Sequence, residues 1–283
     1  MHRYFKGIKD KAHGGLQKML IIGEKLNSSI PSVRQFINDK NTSAIQDLAL
    51  RQVATGADYL DLNTAQGDEV VNMEWLVRTV QEVTDQPLCI DSTSAVAIKK
   101  GLETVTGDKS RILVNSISLE KNRLDEVLPL VLEYQCPVIA LTLDDNGIPK
   151  TAEERMALSE RLIEVLTKNN YDLKNLYIDP LVLPQAVSHN NASMFFQCLT
   201  DIKRLLKVKT VSGLSNISFN TPKRKVVNRH FLTLCMAFEM DAAILDPLDK
   251  KIMTSVITND FLLGKDRFGK KFLKAFRGEL LEE

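Results

Sequence analysis

Glu24, Asn27, Asp61, Asn63, Asp91, Asn115, Asp179 and Asn216 each stand at or just past the end of a short apolar run: KMLIIGEKLN, ADYLDLN, PLCIDS, ILVNS, LYIDP and VSGLSN. Asp144 and Asp246 close PVIALTLDD and AAILDP in the same way. Carboxylates accept hydrogen bonds, and carboxamides both donate and accept them, so a ring built from the two suits the edge of a polar heterocycle. It suits covalent catalysis less well, because that needs an activated nucleophile. None of the four histidines, His2, His13, His189 and His230, closes a run, and the HExxH, GxSxG, GxGxxG and GxxxxGK[ST] patterns are missing. No Cys cluster offers zinc a site, so no protein-bound metal is expected. The reactive power would then come with a cofactor or cosubstrate.

For these side chains to meet, the runs that carry them must be parallel strands whose C-terminal ends open on one face. Strands are predicted near 19–23, 57–62, 87–90, 111–115, 137–142, 175–179, 209–213 and 241–245, separated by stretches long enough for crossover helices, for example over 43–54 and 72–83. Runs such as ILVNS and PLCID are almost continuously apolar, as strands covered by helices outside and packed side chains inside must be. Eight strands and eight helices make a (β/α)8 TIM barrel, and 283 residues suit one such domain. It is expected over residues 19–283. Residues 1–18, with five Lys or Arg against Asp10 alone, are expected to form a basic N-terminal extension.

Local signals place several helices. Thr151 followed by Glu154 reads as a capping box ahead of Leu158, Leu162 and Val165. Thr221-Pro222 reads as a cap and first helical residue, with Val226, Val227, Leu234, Cys235 and Phe238 as the inner stripe. Pro129 falls inside the pattern Leu124, Val127, Leu128, Val131, so that helix begins near Asp125 or kinks.

Thirty-seven Lys and Arg balance thirty-six Asp and Glu, leaving formal charge +1 and no field that favours nucleic acid or an anionic membrane. Cys89, Cys136, Cys198 and Cys235 lack CxxC spacing and read as reduced thiols in a cytoplasmic protein. No apolar stretch approaches the roughly 20 residues that span a bilayer.

The blocks LIIGEKLN, LDLN, MEWLVRTVQEVTDQPLCIDST, GIPK, LYIDPLVLP and GLSNISFN, in this order over almost the whole chain, carry a resemblance. The chain resembles the pterin-binding methyltransferases, above all the methyltetrahydrofolate:corrinoid/iron-sulfur protein methyltransferases, and more distantly the folate-binding region of cobalamin-dependent methionine synthases. The resemblance implies methyl transfer between N5 of methyltetrahydrofolate and the cobalt of a corrinoid, by in-line displacement. The chain has no corrinoid-binding DxHxxG pattern, so the corrinoid is expected on a separate partner protein, and a homodimer is implied.

By the same resemblance Asp179 binds the amino-pyrimidinone edge of the pterin, Asp91 and Asn115 make the other pterin contacts, and Asn216 lies next to N5 as the catalytic residue. Glu24, Asn27, Asp61, Asn63, Phe219 and Arg224 are candidate supporting residues. The sequence departs from its relatives at Lys25-Leu26, and at Phe219, where the iron-sulfur-partner enzymes have Gln and methionine synthases have Phe.

Bland readings stand beside these. Asp91 and Asn115 are also good helix caps; Asp61 and Asn63 also suit turns; Gly213 suits a tight turn; Lys223 and Arg224 either reach a folate tail or stay solvated. The alternative functions are a dihydropteroate synthase-like condensation, whose first-strand NVTPDSF-like block is missing, and a non-catalytic folate-binding barrel.

Overall fold

The computed structural model of the protein describes residues 18–282, so the expected basic extension lies outside the described residues up to position 17. Eight strands, β1 (Leu20–Asn27), β2 (Tyr59–Asn63), β3 (Leu88–Asp91), β4 (Leu113–Leu119), β5 (Val138–Asp144), β6 (Leu176–Asp179), β7 (Lys209–Gly213) and β8 (Ala242–Leu245), pair in parallel in sequence order and close into a barrel. β8 pairs back onto β1 from Leu20 opposite Ala242 to Gly23 opposite Leu245.

Strand parity explains what the barrel presents at its mouth. The interior is filled by Ile22, Cys89, Leu113, Ile139, Tyr177, Val211 and Ala242, with Leu20, Tyr59, Leu141 and Ile244 packed against them. Side chains two apart share a face. The residues two positions beyond these inner ones are therefore Glu24, Asp61, Asp91, Asn115, Asp179, Gly213 and Asp246, which all point inward at the C-terminal end. The opposite parity, for example Leu60, Leu62, Ile90, Val114 and Ile178, is fully buried under the helices.

Ten α-helices cover the strands among the described residues, two more than expected: α1 (Pro31–Asn38), α2 (Thr42–Ala54), α3 (Glu69–Gln81), α4 (Ala95–Thr104), α5 (Lys121–Tyr134), α6 (Ala152–Lys168), α7 (Asn191–Asp201), α8 (Arg224–Ala237), α9 (Lys250–Leu262) and α10 (Lys270–Arg277). The additions are α1, inserted in the first crossover, and α10, which packs on α9. The capping box at Thr151 and Glu154 forms as the sequence implies. α5 starts at Lys121 and runs through Pro129, which removes the option of a start near Asp125.

α8 corrects the reading of Thr221-Pro222. Lys223 adopts a left-handed conformation (φ 54°) and the helix starts after it, while the Thr221 hydroxyl donates to the Ser218 carbonyl at 2.7 Å. The true start moves the buried stripe to Phe231, Leu232, Cys235 and Met236, and leaves Val226 and Leu234 exposed.

No helix among the described residues is long and apolar enough to cross a membrane.

Candidate active site

The inward-facing strand ends enclose a cavity of about 650 Å³ at the barrel mouth, within the range of small-molecule sites. It brings together Glu24, Asn27, Asp61, Asp91, Asn115, Asp179, Asn216, Phe219 and Arg224, with Asp246 beside them. Asn63 and Asp144 do not line it. Asn63 stands behind Asp91, donating Nδ2 to Oδ2 at 2.8 Å while its own Oδ1 accepts from the Ala65 amide at 3.1 Å, so it both supports the site and orders its turn. Asp144 turns away to Arg161 at 3.3 Å.

Asp179 is buried at the base of the cavity. Its Oδ1 accepts from the Leu181 amide at 2.8 Å and from the Ser212 hydroxyl, which leaves Oδ2 without a partner among the described residues. Burial raises its carboxyl to about 6, against the pull of Ser212, the Leu181 amide and Arg155. Such a carboxylate, half satisfied by the protein, is ready to accept from a ligand.

Asp61 is the most enclosed of the acids. Its Oδ1 is buried with no partner, and burial, then the neighbouring charge of Asp91, drives its carboxyl well up. Asp91 is itself raised by burial, against the Asn63 hydrogen bond. Neither Asp91 nor Asn115 caps a helix: Ser94 caps α4 and no side chain caps α5, so the capping alternative for these two falls. The Asn115 and Asn216 carboxamides form no hydrogen bond with the described residues, so both can pair with a ligand.

Asn216 lies in the 3-10 turn Leu214–Ser218 directly after β7. Gly213 leads into that turn with a backbone any residue can adopt, φ −69° and ψ 101°, so the turn itself does not demand glycine. A β-carbon there would lie 3.0 Å from Nδ2 of Asn216, so a larger residue makes that carboxamide give by a few tenths of an ångström. Arg224, at the start of α8, clamps the same turn by donating Nε to Ser218 Oγ and Nη2 to the Ser215 carbonyl, both at 3.0 Å. Its guanidinium also stacks on the half-exposed Phe219 ring at 4.5 Å. Asn27 turns back onto its own loop, accepting from the Ser29 amide at 2.8 Å.

β1 carries an irregularity beside Glu24 that re-aims Lys25. The register to β2 shifts between Gly23 opposite Leu60 and Leu26 opposite Leu62, so two residues, Glu24 and Lys25, oppose Asp61 alone. Buried Gln52 of α2 accepts the Lys25 amide at 3.1 Å and braces this bulge. Adjacent strand residues ordinarily face opposite sides, and a bulge re-aims one of them. Here Glu24 and Lys25 both line the cavity, with Lys25 paired to Asp246 at 3.2 Å.

Two residues that shape or line the cavity escape sequence reasoning. Arg155 of α6 is fully buried and has no carboxylate partner in an ion pair among the described residues. It donates Nη1 to the carbonyls of Pro180 and Leu181, at 2.6 and 2.7 Å, and Nε to that of Pro149 at 3.2 Å. Leu181 has a left-handed backbone (φ 63°), a conformation that costs a non-glycine residue about 1–2 kcal/mol, and Arg155 holds it there beside Asp179. Asn228 of α8 also lines the cavity, with a buried Oδ1 that has no partner. The i+4 spacing from Arg224 is the one sequence signal that places Asn228 on the cavity face.

Residues 26–246 match the family described as pterin binding enzymes. A Eubacterium limosum protein named methylcorrinoid:tetrahydrofolate methyltransferase is 37% identical over 264 residues, covering 92% of this chain and 96% of that one. Methionine synthase of Mycobacterium tuberculosis is 31% identical over 243 residues, and the match covers 80% of this chain but only 20% of that protein. In structure, the chain resembles the dihydropteroate synthase of Yersinia pestis, with a TM-score of 0.65 and 15% identity over 87% of this chain and 93% of that one. The 7,8-dihydropteroate synthase of Vibrio fischeri gives a TM-score of 0.65 and 17% identity, over 88% and 94% of the two chains. At such identities the structural likeness is one of fold.

Proposed function

The chain belongs to the pterin-binding enzyme family, and from that premise we propose that it is a methyltransferase acting between N5 of a tetrahydrofolate and the cobalt of a corrinoid carried by a separate protein. The observation that carries this reading is the convergence of Asp91, Asn115, Asp179 and Asn216 on one cavity. Their free acceptor and donor atoms match the edge of a pterin. The Eubacterium limosum relative, similar over nearly its whole length, is named for the same substrates. That name puts the methyl group on the corrinoid first, and we read the direction here the same way.

In this reading Asp179 accepts from the ring N–H and the exocyclic amine together through its free Oδ2. A charged acceptor makes these bonds stronger than neutral ones. Asn115 and Asp91 complete the edge, the carboxamide donating where the carboxylate accepts. Asn216 stands beside N5. A neutral amide does not supply a proton at ordinary pH, but its oxygen accepts from N5–H in a bond that strengthens as positive charge builds on N5, and in the reverse direction its N–H donates to the lone pair freed there; such differential stabilisation raises rate. The corrinoid contributes a cobalt centre able to give or take the methyl group. The chain's part is to hold the pterin, order N5 and leave the mouth open for the partner.

The dihydropteroate synthase-like alternative is weaker on the cavity's charge. That condensation must hold a pyrophosphate, and the cations lining the cavity, Lys25 and Arg224, are engaged by Asp246 and by Ser215 and Ser218. The decisive experiment mixes the protein with methylcobalamin and tetrahydrofolate, and separately with methyltetrahydrofolate and Co(I) cobalamin, following the corrinoid spectrum. Loss or gain of the methyl-cobalt absorption supports the reading, and no change in either mixture, with no folate binding by calorimetry, rejects it.

A further inference from the structure

We propose that Glu24 is the carboxyl group that exchanges a proton with the nitrogen at which the methyl group is transferred. The inference rests on the methyltransferase reading above and assigns the proton, which that reading leaves without a carrier.

Geometry singles out Glu24 among the acids of the cavity. Asp179 is tied on Oδ1 by two donors, and Asp91 is tied to Asn63. Asp246 is paired with Lys25, and Asp249 with Lys225 at 3.2 Å. Asp61 is sealed beneath the rim, 2% exposed. Glu24 is held by one long bond, Ser215 Oγ to Oε2 at 3.5 Å, and Ser215 is the chain neighbour of Asn216. Strand parity aims Glu24 into the cavity that Asn216 also lines, and its bond to Ser215 reaches the turn that carries Asn216.

The groups that face Glu24 come from four further elements: Asp246 after β8, Asp61 of β2, Ser215 after β7 and Arg224 of α8, with Lys25 beside it on β1. Burial, then Asp246, lifts its carboxyl to about 7, against smaller opposing effects of Lys25, Ser215 and Arg224. A carrier works best when its pKa lies near the operating pH.

The step balances. As tetrahydrofolate accepts the methyl group, the N5 lone pair forms the nitrogen–carbon bond and the carbon–cobalt bond breaks, leaving its electron pair on the metal. N5 then carries one substituent too many until its proton leaves for the Glu24 carboxylate and, from there, for solvent. In the opposite direction the protonated carboxyl returns that proton to N5 as the nitrogen–carbon bond breaks.

The test compares wild type with Glu24→Gln and Glu24→Asp, measuring single-turnover methyl transfer from pH 5 to 9 and folate affinity by calorimetry. We expect Glu24→Gln to bind folate within about threefold of wild type, to transfer methyl at least tenfold more slowly, and to lose the inflection near neutrality. Glu24→Asp should restore an inflection. If wild type transfers methyl and Glu24→Gln keeps the rate or the inflection, the assignment of Glu24 is overturned while the methyltransferase reading stands. If wild type neither binds folate nor transfers methyl, the methyltransferase reading itself fails.

Discussion

Gly213 and Asn216 fit one another: a β-carbon on the glycine would stand 3.0 Å from Nδ2 of the asparagine, closer than side chains normally tolerate. The backbone of Gly213 is ordinary, so what the missing β-carbon spares is the placement of its neighbour's carboxamide. Gly213→Ala should therefore push Asn216 aside while leaving the fold intact. We expect methyl transfer to fall about tenfold or more, with a melting temperature within a few degrees of wild type, as read by single-turnover kinetics beside calorimetry.

Asn216→Ala tests the carboxamide directly. Removing one preorganised donor typically costs about 10²- to 10³-fold in rate. We expect at least a tenfold loss of turnover with pterin affinity partly retained, because Asp91, Asn115 and Asp179 remain. Unchanged single-turnover rates would sink the role.

Stability should carry a pH signature from the buried acids. The carboxyl of Glu24 is raised from 4.5 to about 7 and that of Asp179 from 3.8 to about 6, both mainly by burial. Between roughly pH 4 and 7 the folded protein therefore holds more protons than the unfolded chain, and the contribution of these groups to stability declines as pH rises. Glu24→Gln removes one of them. In urea titrations at pH 5 and pH 8, the variant should gain on wild type at the higher pH by about 1–3 kcal/mol, because each tenfold change in proton affinity on folding is worth about 1.4 kcal/mol.

Arg155→Lys keeps the charge but loses the fork that holds the Pro149, Pro180 and Leu181 carbonyls. Leaving buried carbonyls short of donors costs about 1–3 kcal/mol each. We expect the melting temperature to drop by about 5–10 °C and pterin affinity to weaken, since the loop that presents Asp179 loses its brace. An unchanged affinity in a folded Arg155→Lys protein would show that Asp179 is positioned without it.

The barrel was legible because its strands are apolar on both faces and end in Asp or Asn, so Asp61, Asp91, Asn115 and Asp179 announced both the strand and its exit. Helix boundaries were less so. The dipeptide Thr221-Pro222 has the chemistry of a helix start, yet Lys223 turns left-handed after it and α8 begins one residue later. α1 lacks any side-chain cap, and only Pro31 at its first turn hinted at it. Arg155 was hidden for another reason: a charged residue on a helix reads as solvated, and its burial is decided by the loop of its own crossover at Pro149 and that of the next at Pro180 and Leu181. Asn63 showed the same limit, since its pairing with Asp91 joins side chains 28 residues apart.

Cys89, Cys136, Cys198 and Cys235 are all free and buried, and burial raises every one of their thiols. Thiolate is the reactive form of cysteine, so each is chemically silent while the barrel is closed. They lie on β3, before β5, and on α7 and α8, which spreads them around the structure. Alkylation, resolved by peptide, would thus act as a clock for the opening of each sector, reporting which part of the cylinder yields first without any added label.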